Sequence, residues 1–205
     1  MGTGQMRILV ACETSATVRD AFRKLGHDAW SCDLLPCEGD PTWHIEGGAL
    51  ETAYGQTWDM MIAHPPCTYL SASGLHWNKR RPERAEKTEE GLRFAMHLAK
   101  APIPLIALEN PIGRLNTAWR KPEQIIQPHQ FGEDASKATC LWLKGLPVLT
   151  PTAYVQPRMV NGKPRWSNQT DSGQNRLGPS QNRWKERSRT YQGIADAMAA
   201  QWGKE

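Results

Sequence analysis

The chain has 205 residues, 39% apolar and 22% charged, which suits one ordinary domain with a substantial core and excludes a disordered chain. Its 25 basic and 21 acidic side chains leave a formal charge of +4, mildly basic and compatible with a phosphate-bearing partner. No apolar run approaches the roughly 18 residues of a membrane span. No signal pattern opens the chain, so a cytoplasmic protein without membrane contact is expected.

The first predicted element is a strand, Arg7 to Ala11, short, apolar and β-branched. A small polar turn, Cys12 to Thr17, leads into a helix with Val18, Ala21, Phe22 and Leu25 at helical spacing and Gly26 as its C-terminal glycine. His27 to Asp33 is a second strand that ends on a carboxylate. Trp58 to Ala63 is a third apolar run, stopped by Pro65 and Pro66. Residues 81–101 read as a long amphipathic helix with Leu92, Ala95, Met96 and Ala99 on one face.

Ile103 to Leu108 is the next strand, broken only by Pro104 and ending at Glu109-Asn110-Pro111. Thr139 to Leu143 is another strand, and Tyr191 to Trp202 a helix with Ile194, Ala195, Met198 and Trp202 on one side. Strands alternating with helices predict an α/β fold with a doubly wound, mostly parallel sheet. Between Thr150 and Arg189 the texture changes to Pro, Gly, Asn, Gln and Ser, with eight basic residues against Asp171 and Glu186. This reads either as a functional loop region or as a solvated one.

In such a sheet, ligands bind beyond the carboxyl ends of the strands. Glu13, Asp33, Cys67 and Glu109 all fall there. Asp33 is placed to accept from ribose hydroxyls, or else to cap a turn. The turn at Cys12 lacks GxGxxG, which disfavours a dinucleotide. Cys67, fixed behind two prolines, is a candidate nucleophile; Cys12, Cys32, Cys37 and Cys140 read as structural thiols. Glu109, at the end of an apolar strand, is expected to have a raised pKa and to share a proton near neutrality, unless backbone amides satisfy it. No pair of His residues has metal-ligand spacing, so no metal is expected.

Pro65-Pro66-Cys67 at one strand end and Glu109-Asn110-Pro111 at the next resemble the catalytic motifs of DNA cytosine-5 methyltransferases. The likeness covers most of residues 6–149 and 188–203, and is nearest to short phage- and prophage-type members without a full target-recognition domain. It implies a Rossmann-like fold that binds S-adenosyl-L-methionine through Ala11, Cys12, Glu13, Thr14, Ser15, Asp33, Leu34, His64 and Pro65. Cys67 would attack cytosine C6 while Glu109 hydrogen-bonds N3 and the exocyclic amine, and Lys137 is the nearest cation for the pyrimidine O2. Pro66, Asn110, Arg187 and Arg189 would face the substrate, with Trp166 or Trp184 available to stack on a base.

The division expected is a cofactor-binding and catalytic core over 1–149, a basic insert over 150–187 and a closing helix over 188–205. Cys12-Glu13-Thr14-Ser15 stands where the family carries Phe-x-Gly-x-Gly, so the cofactor loop is rebuilt. The implied partner is cytosine in DNA. The small insert keeps a free cytosine nucleotide beside it as an alternative, and the rebuilt cofactor loop keeps a non-catalytic nucleic-acid or nucleotide binding module on the same fold.

Overall fold

The computed structural model describes residues 4–180 and 183–204, with the side chain of Trp184 outside that description. In chain order, β1 (Arg7–Ala11), α1 (Thr17–Lys24), β2 (Asp28–Asp33), β3 (His44–Glu46), α2 (Ala49–Gly55) and β4 (Met60–Ala63) form the first half. Next come α3 (Ala72–Leu75), α4 (Pro82–Ala99), β5 (Leu105–Pro111), α5 (Arg114–Ala118), β6 (Gln124–Ile126) and β7 (Thr139–Lys144). A hairpin of β8 (Arg158–Val160) and β9 (Lys163–Arg165) precedes α6 (Arg183–Ser188) and α7 (Gln192–Trp202). Seven strands make one sheet in the order β3-β2-β1-β4-β5-β7-β6. All neighbours up to β5 pair in parallel, and β7 runs antiparallel to both β5 and β6. The expected doubly wound, Rossmann-like α/β fold is the one observed.

The period of two in the strands builds two cores. Ile8 and Val10 of β1, with Met60 and Ile62 of β4, pack under α1 and α7. Leu9, Ala11, Met61 and Ala63 point the other way, onto α2 and α4. Burial on both faces is why these strands read as unbroken apolar runs instead of alternating ones. Helix α4 opens with Pro82 at its first position, where a missing N–H costs nothing, and lays Leu92, Ala95 and Leu98 on the sheet.

Two strands differ from expectation. The fifth begins at Leu105, since Pro104 has no N–H to give the ladder, and it runs through Pro111. Its extension comes from pairing with β7, which sets Glu109 opposite Leu141 and Asn110 opposite Cys140. Glu109 and Asn110 are therefore strand residues, held by a ladder on one side. The segment after Thr150 contains the β8–β9 hairpin and α6, where only loop was expected. No helix among the described residues is long and apolar enough to cross a membrane.

Candidate active site

A cavity of about 1000 Å³ opens where the sheet reverses direction, beyond the carboxyl ends of β1, β2, β4 and β5. It is also lined by Gly173, Asn175, Arg176 and Leu177 and by residues 186–191.

The β1 wall is the loop after Ala11. Cys12 and Ala16 both take left-handed backbone conformations, each with φ of 61°. They stand in for glycines at some energetic cost. Glu13 holds the turn: its Oε1 accepts from the Val18 amide at 2.8 Å and the Ser15 hydroxyl at 3.2 Å, its Oε2 from the Arg19 amide at 3.2 Å. The carboxylate thus serves the first turn of α1. Burial raises its pKa against those bonds and the nearby His64. Burial, followed by the charge of Asp33, keeps Cys12 a thiol. Cys12, Glu13, Thr14 and Ser15 line the cavity; Ala11 is fully buried behind it, its carbonyl accepting from the His64 amide at 2.9 Å.

At the end of β2, Asp33 faces the cavity while its Oδ1 accepts from the Leu35 amide at 2.9 Å. Leu35 lines the cavity beside it, whereas Leu34 is 75% exposed and turns outward. Of that expected cofactor pair, Asp33 joins the cavity wall and Leu34 does not.

The loop after β4 carries Cys67, half-buried in the wall, and a turn in which the Leu70 and Ser71 amides donate to its carbonyl at 3.0 and 2.9 Å. The end of β5 clamps this loop. Asn110 Nδ2 donates to the Pro65 carbonyl at 2.7 Å, and the Arg114 amide to the Leu70 carbonyl at 2.7 Å. Gly113 lies so close that an added Cβ would sit 1.9 Å from the Leu70 carbonyl oxygen. Asn110 therefore holds the loop that carries the cysteine, and its buried Oδ1 has no partner among the described residues.

Glu109 is buried at 8% exposure, its Oε2 lying 3.3 Å from His64 Nδ1 and 3.5 Å from the Thr190 hydroxyl. The expectation of a raised pKa is corrected here. Burial does push it up, but His64, Lys137 and Thr190 together bring Glu109 below the ordinary carboxylate value. The partner imidazole moves the opposite way: burial lowers it, and the Glu109 and Glu13 charges outweigh that. The two shifts favour the charged form of each partner, a carboxylate beside a protonated imidazole in the cavity wall.

Lys137 and Arg189 line the cavity and are both engaged. Lys137 Nζ donates to the Arg189 carbonyl at 3.1 Å. The Arg189 guanidinium pairs with Glu38, which also accepts from the Thr14 hydroxyl at 3.0 Å and lies 3.3 Å from Lys185 Nζ. Glu38 thereby latches the segment around α6 to the loop after β2. Pro65 and Pro66 sit in the wall, and Arg187 lines it with an exposed side chain. One face of Trp166 is already occupied: it stacks on His129, with centroids 4.4 Å apart and planes at 17°. The side chain of Trp184 lies outside the described residues.

Sequence reasoning missed Thr190, Glu38 and a basic, aromatic face beside the Cys67 loop. Residues 76–87 carry Lys79, Arg80, Arg81, Arg84 and Lys87 against Glu83 and Glu86. Trp77 is 40% exposed with the Arg81 and Arg80 guanidinium groups at 5.1 and 6.0 Å from its ring. Arg84 and Lys87 lie over Tyr69 at 4.9 and 5.6 Å. The run Lys79-Arg80-Arg81 beside a tryptophan was the signal available. Thr68, Ser71 and Ser73, on the stretch leading to this face, line the cavity.

No family model matches the chain, and no curated protein matches it. Among solved structures it is similar to the Dnmt2 methyltransferase of S. pombe, with 14% identity, 71% of this chain and 51% of that one covered, and a TM-score of 0.42. It is also similar to a candidate DNA modification methyltransferase encoded within an E. coli prophage, with 10% identity, coverage of 77% and 54%, and a TM-score of 0.46. A third is the Entamoeba histolytica methyltransferase EhMeth, with 12% identity, coverage of 75% and 58%, and a TM-score of 0.44. The chain spans little more than half the length of these structures. Likeness at these identities is one of fold alone.

Proposed function

We propose that the chain transfers a methyl group from S-adenosyl-L-methionine to C5 of cytosine in DNA through a transient Cys67 adduct. The observation that carries this reading is that Cys67 and Glu109, from the ends of adjacent strands, line one cavity together with Asp33. The residues present fit the cofactor. Asp33 offers a carboxylate to a ribose diol, with the apolar Leu35 beside it for a purine, and Cys12 and Pro65 complete that end. A volume of about 1000 Å³ is at the upper end for small-molecule sites, enough for a nucleoside cofactor and one nucleotide together. When bound, the cofactor supplies an electrophilic methyl group.

The chain's own residues prepare the acceptor. Cys67 Sγ forms a bond to C6 and the ring electron pair moves toward N3 and C5, because unassisted C5 is a poor nucleophile. Glu109 stabilises that shift by placing a proton at N3. Once C5 carries the methyl group, solvent acting as base takes the C5 proton, the C–S bond breaks and the thiolate returns. The face around Trp77, Arg80 and Arg81 supports a polymeric substrate, since it offers phosphate partners next to the Cys67 loop. A free cytosine nucleotide is the second reading, favoured by the cover that Glu38 latches over the cavity.

The test is transfer of label from S-adenosyl-L-methionine to duplex DNA, single-stranded DNA and free cytosine nucleotides. Label in DNA is expected, reduced by roughly three orders of magnitude or more in Cys67→Ser. Label in nucleotide alone moves the substrate to the second reading. None in any arm, with no cofactor binding by calorimetry, overturns both.

A further inference from the structure

One side chain of the cavity wall makes a contact that the cofactor does not explain. His64 follows β4 and reaches Glu109 through Nδ1 at 3.3 Å, while its Nε2 is buried with no partner among the described residues. The charged groups that act on the ring are Glu109 on β5, Glu13 on the loop after β1 and Lys137 before β7. Thr190, ahead of α7, touches the same Glu109 oxygen. Of the two acids, Glu13 already accepts from two amides and a hydroxyl. Among the described residues, Glu109 has His64 and a hydroxyl at 3.5 Å as its side-chain partners. A proton on the imidazole is therefore shared with Glu109.

That matters because the proposed chemistry needs a protonated Glu109 at the moment charge reaches N3, and a carboxylate alone cannot donate. We propose that His64 is the positioning residue that supplies Glu109 with the proton it places on the pyrimidine, and so couples methyl transfer to the charge of one imidazole. As Sγ bonds to C6, the Glu109 carboxylate takes the Nδ1 proton from His64 and passes that same proton to N3. The imidazolium becomes imidazole, Glu109 ends as it began, and N3 carries the proton. Departure of the thiolate returns it by the same route. This inference rests on the methyl-transfer reading above.

The decisive comparison is between His64→Asn, whose amide nitrogen can keep the hydrogen bond to Glu109 but cannot carry the proton, and His64→Gln as a second variant. Rates of transfer to DNA under single turnover are followed against pH, with circular dichroism confirming that each variant folds. The wild-type rate is expected to show a high-pH limb that falls about tenfold per pH unit as the imidazolium is lost. His64→Asn is expected to be slower by roughly ten- to a hundredfold, with that limb missing. A separate readout uses no cofactor or substrate: the imidazole is titrated by NMR in the wild type and in Glu109→Gln. Its pKa should drop in the variant. An imidazole unmoved by Glu109→Gln, or a limb that persists in a His64→Asn enzyme of near wild-type rate, overturns the proton supply and leaves the methyltransferase reading intact. Absence of label in wild type, with the imidazole still coupled to Glu109, overturns the functional reading and this inference with it.

Discussion

Cys67 differs from the other cavity cysteine in its surroundings. Burial raises the thiol pKa of Cys12, and of Cys32 and Cys140 in the core, so that none of these three is a nucleophile near neutrality. Cys67 was legible because two prolines and a strand end announce it. Glu109 was legible as a position but not as a charge state, since its partner His64 lies on another strand and only the fold brings them together. The pair makes a stability prediction. Glu109 is depressed below its ordinary 4.5, so its contribution is present above that pH and is lost as pH falls through the folded-state value. His64 is raised above its ordinary 6.5, so its contribution is present below that pH and is lost as pH rises through the folded-state value. Urea unfolding between pH 3 and 9 (roughly the span of both titrations) should therefore show a plateau from about 4.5 to 6.5, with losses on both sides. Subtracting the curve of Glu109→Gln isolates the pair, and a flat difference would show that the two groups do not interact.

Among the elements, the extension of β5 does most to position the site, and it rests on contacts far apart in sequence. The strand continues past Leu108 because β7 pairs with it, which lets Asn110 reach Pro65 and brings Gly113 against Leu70. Gly113 has extended backbone, so its requirement is one of space alone. Gly113→Ala is expected to cost about 1–3 kcal/mol by denaturant unfolding. It should also lower kcat more than it raises KM, as the Cys67 loop is pushed off its clamp. At Ala16 the requirement is conformational: it is 1% exposed with a left-handed backbone. Ala16→Gly is expected to stay within about 1 kcal/mol of wild type, relief of strain offsetting lost chain stiffness. Ala16→Val should lose roughly 2 kcal/mol or more by the same measurement, since a β-branched residue resists positive φ. The helices α4 and α7 were readable from their apolar periodicity, and β1 and β4 as short unbroken apolar runs. The three-residue β6 was not. Its place is set by β7 and by Gln124, whose side chain bonds the backbone of Leu149 at 2.7 and 2.8 Å, a tertiary contact with no local trace.

At the scale of the whole molecule, a small net charge hides an uneven distribution. The formal charge is +4, and residues 76–87 alone contribute five basic against two acidic groups. The basic residues after Thr150, which drew attention in the sequence, are partly spent inside the protein: Arg158 pairs with Asp171 at 2.6 Å, Arg165 bonds backbone carbonyls, and Lys185 and Arg189 hold Glu38. Lys79, Arg80 and Arg81 are exposed around Trp77 and make no salt bridge among the described residues. A phosphate-bearing polymer that reaches Cys67 would pass this face, and each cation that meets a phosphate releases a condensed counterion. Arg80→Glu combined with Arg81→Glu should therefore weaken DNA binding by at least tenfold at moderate salt. The slope of log affinity against log salt should become shallower by about two. Fluorescence anisotropy across a salt series measures both, with cofactor binding as the control that must not move. An unchanged slope would move the phosphate contacts to Arg176 and Arg187 at the cavity mouth. A protein that binds nucleotides normally but shows no salt-dependent affinity for DNA in either form would favour the free nucleotide as substrate.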